Sequence, residues 1–257
     1  VRSPAVAGAF YPADPRALAI AVDRLLGAVG PTDGPAPKAL VVPHAGYVYS
    51  GPVAAQAFAA LGTAAGGIRR VVLLGPAHRV PLRGMAVPAA ERFATPLGTV
   101  PIDHEAAARA GVPASELAHR LEHSLEVEVP FLQRLLPAGF ALVPIVVGDA
   151  EPEEVGRVLE ALWNGPETLV VVSSDLSHYL PYDIARATDA ETAEIVLALN
   201  VAGLSHDRAC GASPLAGLLW VARRKRLRPV LLDLLNSGDT SGDRDGVVGY
   251  GAFAFHE

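Results

Sequence analysis

The sequence predicts an α/β domain with a central, mostly parallel or mixed sheet flanked by helices. Two observations carry this reading. Short runs rich in Val, Leu and Ile recur at residues 38–43, 70–75, 140–148 and 168–173. Each is bounded by Gly, Pro or polar residues, as expected of strands buried on both faces. Between them lie segments 52–61, 122–136 and 152–163, whose apolar residues are spaced by three and four. That is the period of a helix with one face on a core. Alternation of the two patterns argues a layered α/β fold.

Taken in order, residues 38–43 form the first strand and 52–61 the first helix of the alternating region, with Pro52 placed for a first helical turn. Strand 70–75 follows, then helix 122–136, strand 140–148, and helix 152–163 opened by Pro152. Strand 168–173 completes the apolar set. Residues 183–199 and 214–226 read as two further helices, and 228–235 and 246–255 as two closing strands. The richest Pro/Gly stretch, 30–37, has only a small segment ahead of it, so residues 1–257 read as a single domain.

Composition narrows the function. Hydrophobic residues make up 51% of the chain, enough for a substantial core. No apolar run reaches bilayer-spanning length, so no membrane partner is expected. The N-terminal region lacks a basic-then-apolar leader pattern, because Pro4, Gly8, Pro12 and Asp14 interrupt it. A lone cysteine, Cys210, leaves no internal disulfide to form. These features point to a reducing, cytoplasmic setting. The one concentrated basic run, Arg223, Arg224, Lys225, Arg226 and Arg228, follows an apolar helical stretch without interleaved aromatics. It reads as a solvated helix end, and nucleic acid is not an expected partner. The chain has no Walker-type phosphate loop, GxSxG elbow or CxxC pair. The acidic segment 239–245 lacks the glycine and terminal glutamate of an EF-hand and reads as a polar connection.

The histidines are more informative. His44 directly follows strand 38–43, His78 lies three residues past Gly75, and Asp175 and His178 follow strand 168–173. Ligands of open α/β sheets bind beyond the carboxyl ends of the strands. Parallel neighbouring strands would therefore deliver these groups to one edge. Taken singly, each histidine is as well read as a hydrogen-bonded structural residue. Asp175 either orients the His178 ring and fixes its tautomer or caps the following turn. Glu122 and His123 precede a helical pattern, where capping is the simpler reading. Cys210, just before the helix at 214–226, is either a small core residue or a thiolate with a lowered pKa.

Six ordered segments then resemble one family. They are Pro4-Ala-Val-Ala-Gly-Ala-Phe-Tyr-Pro-Ala-Asp14, Pro43-His-Ala-Gly-Tyr-Val-Tyr-Ser-Gly51, Leu74-Gly-Pro-Ala-His78, Glu122-His-Ser-Leu-Glu-Val-Glu-Val-Pro130, Ser173-Ser-Asp-Leu-Ser-His178 and Cys210-Gly211. They look like the motifs of the Memo family, named for a mediator of cell motility, and span nearly the whole chain. The resemblance implies a fold like that of the class III extradiol dioxygenases, non-haem iron enzymes that open catechol rings. It would make His44 and His78 metal ligands and put Cys210 in the place of a carboxylate ligand. His178 would be the acid/base histidine, Asp175 would lie beside it, and His123 would be a pocket residue.

A thiolate in place of a carboxylate softens the site towards copper, zinc or thiolate-ligated iron. The expected cofactor is a divalent or redox metal, with iron or copper foremost and zinc as an alternative. The implied function is a metal-dependent redox enzyme acting on a small molecule. The alternatives are a non-catalytic module binding a peptide or small anion, or an accessory protein to a radical-SAM partner. With ordinary pKa values of about 6.5 for His and 8.5 for Cys, metal binding at such a site should fail below roughly pH 6.

Overall fold

Strands β1 (Ala39–Val42), β2 (Arg70–Pro76), β6 (Ala141–Val147) and β7 (Thr168–Ser173) occupy the four apolar runs in the computed structural model, which describes residues 1–30 and 34–257. They pair in parallel in the order β6-β2-β7-β1. The long last strand, β10 (Val247–His256), runs antiparallel beside β1, and β9 (Arg228–Asn236) runs antiparallel beside β10. Short β8 (His178–Leu180) also joins β10, and β3 (Met85–Ala86) joins β6 at the other side. The sheet is therefore mixed, with a parallel centre. Segment 30–37 falls partly on residues 31–33, which lie outside the described residues.

Side chains alternate across the central strands and divide the core in two. Leu40 and Val42 of β1, Val71 and Leu73 of β2, and Leu169 and Val171 of β7 point to one face. There they meet Leu18 and Val22 of α1 (Pro15–Gly27), Val53 and Phe58 of α2 (Tyr47–Ala59), and Phe131 and Leu132 of α5 (Val129–Leu135). Val41, Val72, Leu74, Val170 and Val172 point to the other face. They meet Ala106 of α3 (His104–Arg109), Val155 and Leu159 of α6 (Pro152–Leu162), Ala193 and Val196 of α7 (Tyr182–Leu197), and Leu215 and Leu219 of α8 (Ala212–Lys225). The result is a three-layer α/β/α arrangement.

Several elements depart from the periodicity reading. Helix α2 starts at Tyr47, so Pro52 lies inside it rather than in its first turn. The carbonyl that Pro52 leaves without a partner belongs to Val48, an exposed first-turn residue that water can reach. The single helix expected over 122–136 is broken: residues 122–125 form a loop, Glu126–Glu128 a 3-10 turn, and only then does α5 begin. Helix α1, with Asp14 accepting the Ala17 N–H at its start, was not anticipated. Neither were the hairpin of β4 (Arg92–Thr95) and β5 (Gly98–Pro101) or the short helix α4 (Glu116–Arg120). The polar connection after β9 begins with helix α9 (Ser237–Ser241), closed at its start by a reciprocal Asn236–Asp239 cap. The basic run does end a helix: α8 stops at Lys225, and Arg226 takes a left-handed conformation. Among the described residues no helix is long and apolar enough to cross a membrane.

Helices α6 and α8 pack at close range because each offers a glycine to a side chain of the other, Gly217 to Val155 and Gly156 to Trp220. A Cβ on Gly217 would stand 2.4 Å from Cγ1 of Val155, a stiff β-branched side chain, and 3.3 Å from the backbone of Gly156. Helix α8 begins immediately after Cys210 and Gly211, so this contact also sets where Cys210 sits. Gly217→Ala is expected to lower stability by about 1–3 kcal/mol, because overpacking outweighs the alanine's helix propensity. Thermal unfolding of the variant against the parent checks this.

Candidate metal centre

The parallel register of the sheet builds the site. Val42 of β1 lies opposite Ser173 of β7, and Leu74 of β2 opposite Val172. His44 and Asp175 each stand two residues beyond a paired position, and His78 stands two beyond the end of β2. The three chain ends therefore emerge at one edge. His123, on the loop ahead of α5, completes a triangle of rings: centroids are 5.2 Å apart for His44 and His78, 5.5 Å for His44 and His123, and 4.7 Å for His78 and His123. One nitrogen from each of these three rings lies within 4.8 Å of the other two. Cys210 Sγ is 3.4 Å from His44 Nε2, on the flank of this group. Asp175 and His178 line the same pocket, together with Phe10, Tyr49, Tyr179 and Tyr250.

Two of the three rings are held from behind. His44 Nδ1 is 2.7 Å from Ser173 Oγ, which leaves Nε2 beside Cys210. His78 donates its backbone N–H to Glu122 Oε2 (2.6 Å) and its Nδ1–H to Glu122 Oε1 (2.9 Å). Glu122 Oε1 also accepts the backbone N–H groups of His123 (2.8 Å) and Ser124 (2.9 Å). The carboxylate that might have capped a helix instead binds a ligand-bearing ring and its own loop. Cys210 Sγ accepts the Asp175 N–H at 3.3 Å. Gly211 follows so closely on Ser174 that a Cβ there would stand 2.7 Å from Ser174 Oγ, while its N–H donates to that oxygen at 3.0 Å.

Beneath the loop lies a buried charge cluster. Arg2 pairs with Glu126 and donates to the carbonyls of Glu122 and His119. Glu126 also accepts the N–H groups of Ala5 (2.7 Å) and Val6 (3.0 Å) and the hydroxyl of Tyr11. The N-terminal segment is thereby fastened under the residues that hold His78 and His123.

The protonation states suit a cation. Burial, reinforced by the neighbouring His78 and His123, pushes His44 well below the usual imidazole range. Burial also pushes His123 down to about 4, against the opposing charge of Glu122. Burial would raise Glu122, but the His78 hydrogen bond and charge and the Ser124 and His78 N–H groups hold it well below the carboxylate range. Burial and the charge of Asp175 push the Cys210 thiol up, so it is protonated in the metal-free protein. His123 Nδ1 is buried without a hydrogen-bond partner among the described residues, 3.4 Å from Glu122 Oε1. Neutral imidazoles whose far nitrogens are tied to a carboxylate or hydroxyl are the usual form of histidine metal ligands. The residues fit a metal ion.

Two expectations need correction. Asp175 does not orient His178: its carboxylate accepts the N–H of His44 at 2.8 Å and that of Ala45, and burial raises it to about 7. The His178 ring instead donates Nδ1–H to the Leu176 carbonyl at 2.8 Å. Ordinary side-chain pKa values also do not set the acid limit: burial favours the neutral forms of His44 and His123, whereas it makes the Cys210 thiol hold its proton more tightly.

A family model described as "Memo-like protein" matches residues 2–254. The chain belongs to the Memo family. It is 37% identical over 264 residues to a MEMO1 family protein of Aquifex aeolicus, covering 97% of each chain. Relatives of the same description occur in Methanosarcina barkeri, 36% identical with 98% of each chain covered, and Ignicoccus hospitalis, 38% identical with 99% of this chain and 98% of the relative covered. Family membership and the histidine cluster together describe a Memo-like protein with a pocket able to hold a metal.

Glu126, Arg2 and Ser173 were not singled out from the sequence, and Glu122 was read there as a helix cap. For Glu122 a signal existed, since a carboxylate next to a histidine in a loop is a common outer support of metal sites. Glu122→Gln keeps the shape but weakens the acceptor for His78 Nδ1–H. It is expected to reduce metal affinity about 10- to 100-fold while the fold persists, as read by metal titration alongside circular dichroism.

Proposed function

We propose that this Memo-family chain binds a redox-active metal ion, iron or copper, through His44, His78 and Cys210. His123, the third imidazole of the cluster, lines the pocket beside them, and His178 handles protons there. The observation that carries the reading is the convergence of three imidazole nitrogens within 4.8 Å, with a thiol 3.4 Å from one of them. A bound iron or copper ion would supply electron transfer and a cationic anchor for a substrate oxygen, whereas zinc would supply the anchor alone.

His178 suits proton transfer because its Nδ1–H is committed to Leu176, which leaves Nε2 as the basic nitrogen. Burial lowers its pKa, so the ring is neutral and able to take a proton from a small molecule in the pocket. Asp175 holds the backbone of His44 and Ala45, and its part in any turnover is to keep His44 in place.

A three-histidine centre is the competing ligand set, favoured by the orphaned His123 Nδ1. Proton release separates the two. A protonated Cys210 must lose its proton to bind as thiolate, so anaerobic titration with Fe(II) or Cu(I) at pH 7 should release about one more proton per metal from the parent than from Cys210→Ser. Cys210→Ser should also lose more than the roughly 100-fold in affinity that marks the upper range for supporting residues. Equal proton release and equal affinity would exclude Cys210 and leave the three histidines. His178→Ala should keep most of its metal but lose oxygen consumption. Tight capture of a peptide or anion without turnover by the metal-loaded parent would favour a binding module over an enzyme.

A further inference from the structure

Behind His44 lies a group that the site has not yet used. Glu128 is fully buried, and its Oε1 is 2.9 Å from Ser173 Oγ. The same Ser173 oxygen is 2.6 Å from the Ser124 carbonyl and 2.7 Å from His44 Nδ1. Ser173 has one proton to give and three polar neighbours. Two oxygens at 2.6 Å need a proton between them, and the Ser124 carbonyl has none, so the serine proton points there. The Ser173 oxygen then has only lone pairs left. Both remaining neighbours must donate to it, Glu128 as a carboxylic acid O–H and His44 as Nδ1–H.

We propose that Glu128 is a resident neutral carboxylic acid and a positioning residue that, through Ser173, locks His44 as the Nδ1–H tautomer with Nε2 presented to the metal pocket. This rests on the metal-binding reading for its purpose but not for its proton assignment.

Two independent features agree. Glu128 Oε2 is buried with no hydrogen-bond partner among the described residues. A bare carboxylate oxygen there would be costly, whereas the carbonyl oxygen of a neutral acid is far cheaper to bury. On the other side of the ring, Nε2 of the Nδ1–H tautomer carries a lone pair and lies 3.4 Å from Cys210 Sγ. Every proton of His44 Nδ1, Ser173 and Glu128 then has one acceptor. Burial also pushes the Glu128 carboxyl well above the carboxylate range, with the charge of Asp175 adding to it against the Ser173 hydrogen bond.

The test compares the metal-free parent with Glu128→Gln and Glu128→Leu. Infrared spectra of the parent should contain a protonated-carboxyl C=O band that disappears in the Glu128→Gln difference spectrum. Nitrogen-15 NMR of histidine-labelled protein should show His44 protonated at Nδ1 in the parent. Glu128→Gln should retain that tautomer, because the amide N–H₂ donates to Ser173 as the acid does. Glu128→Leu, which cannot donate, should let His44 populate both tautomers.

Loss of only carboxylate bands in Glu128→Gln, or an Nε2–H tautomer of His44 in the parent, would overturn the proposal. In Fe(II) titrations Glu128→Gln should bind within about threefold of the parent and Glu128→Leu about 10- to 100-fold more weakly. Equal affinity of all three would refute the positioning role. If the parent binds no metal, the metal reading fails, while the infrared and NMR results still decide the proton assignment.

Discussion

Parallel pairing of β1 with β7, and of β7 with β2, is the constraint from which the site follows. Once Val42 is opposite Ser173 and Leu74 opposite Val172, the next few residues of three distant segments must leave the sheet side by side. A slip of one residue would turn Val41 and Val42 to the wrong faces and set mismatched side chains against both helical layers. The two hydrophobic layers therefore hold the register, and the register holds His44, His78 and Asp175 near one another. Packing energy far from the pocket is what makes the pocket reproducible.

Charge does the finer placement. The loop carrying His123 is anchored in the core by Leu125, and buried carboxylates fix its backbone and rings. Glu122 gathers His78, His123 and Ser124, and Glu126 gathers Arg2, Ala5, Val6 and Tyr11. Buried ionic groups of this kind contribute little net stability, since desolvation offsets most of their attraction. They are sensitive to the loss of a partner, however, because an unpaired buried charge costs several kcal/mol. Hydrophobic layers thus give the site its location, and the carboxylates give it its geometry.

The sequence was legible where one physical effect dominated. Strands covered on both faces need continuous apolar runs, so residues 70–75 and 168–173 declared themselves, and the histidines after them could be placed at strand ends. The 122–136 segment misled because Leu125, Val129 and Leu132 keep a helical spacing while Glu122 spends its carboxylate on loop N–H groups. The β4–β5 hairpin escaped notice because its strands are four residues each and mix polar with small side chains. Helix α1 carries a local signal in Asp14-Pro15, a capping carboxylate followed by a proline in the first turn. Arg2, Glu126 and Glu128 could not be found at all, since nothing local distinguishes a buried charge from a solvated one. Cys210 stood out only through family resemblance, and its 3.4 Å approach to His44 depends on the close packing of α6 and α8 that Gly156 and Gly217 permit.

Strand β9 has a bearing on how the protein behaves in concentrated solution. Among the described residues it pairs only with β10, so one side of a nine-residue, largely aliphatic strand is an open rim. Such rims template intermolecular β-structure. Here Pro229 offers no N–H, the register shifts between Ala252 and Phe253 of the partner strand, and the Leu234 N–H is already taken by Asp233 at 2.9 Å. With an exposed Arg228 at its head, the rim presents an interrupted and charged ladder to any incoming strand. Fibril seeding from the folded state is therefore disfavoured, and aggregation has to wait for unfolding to release the apolar central strands.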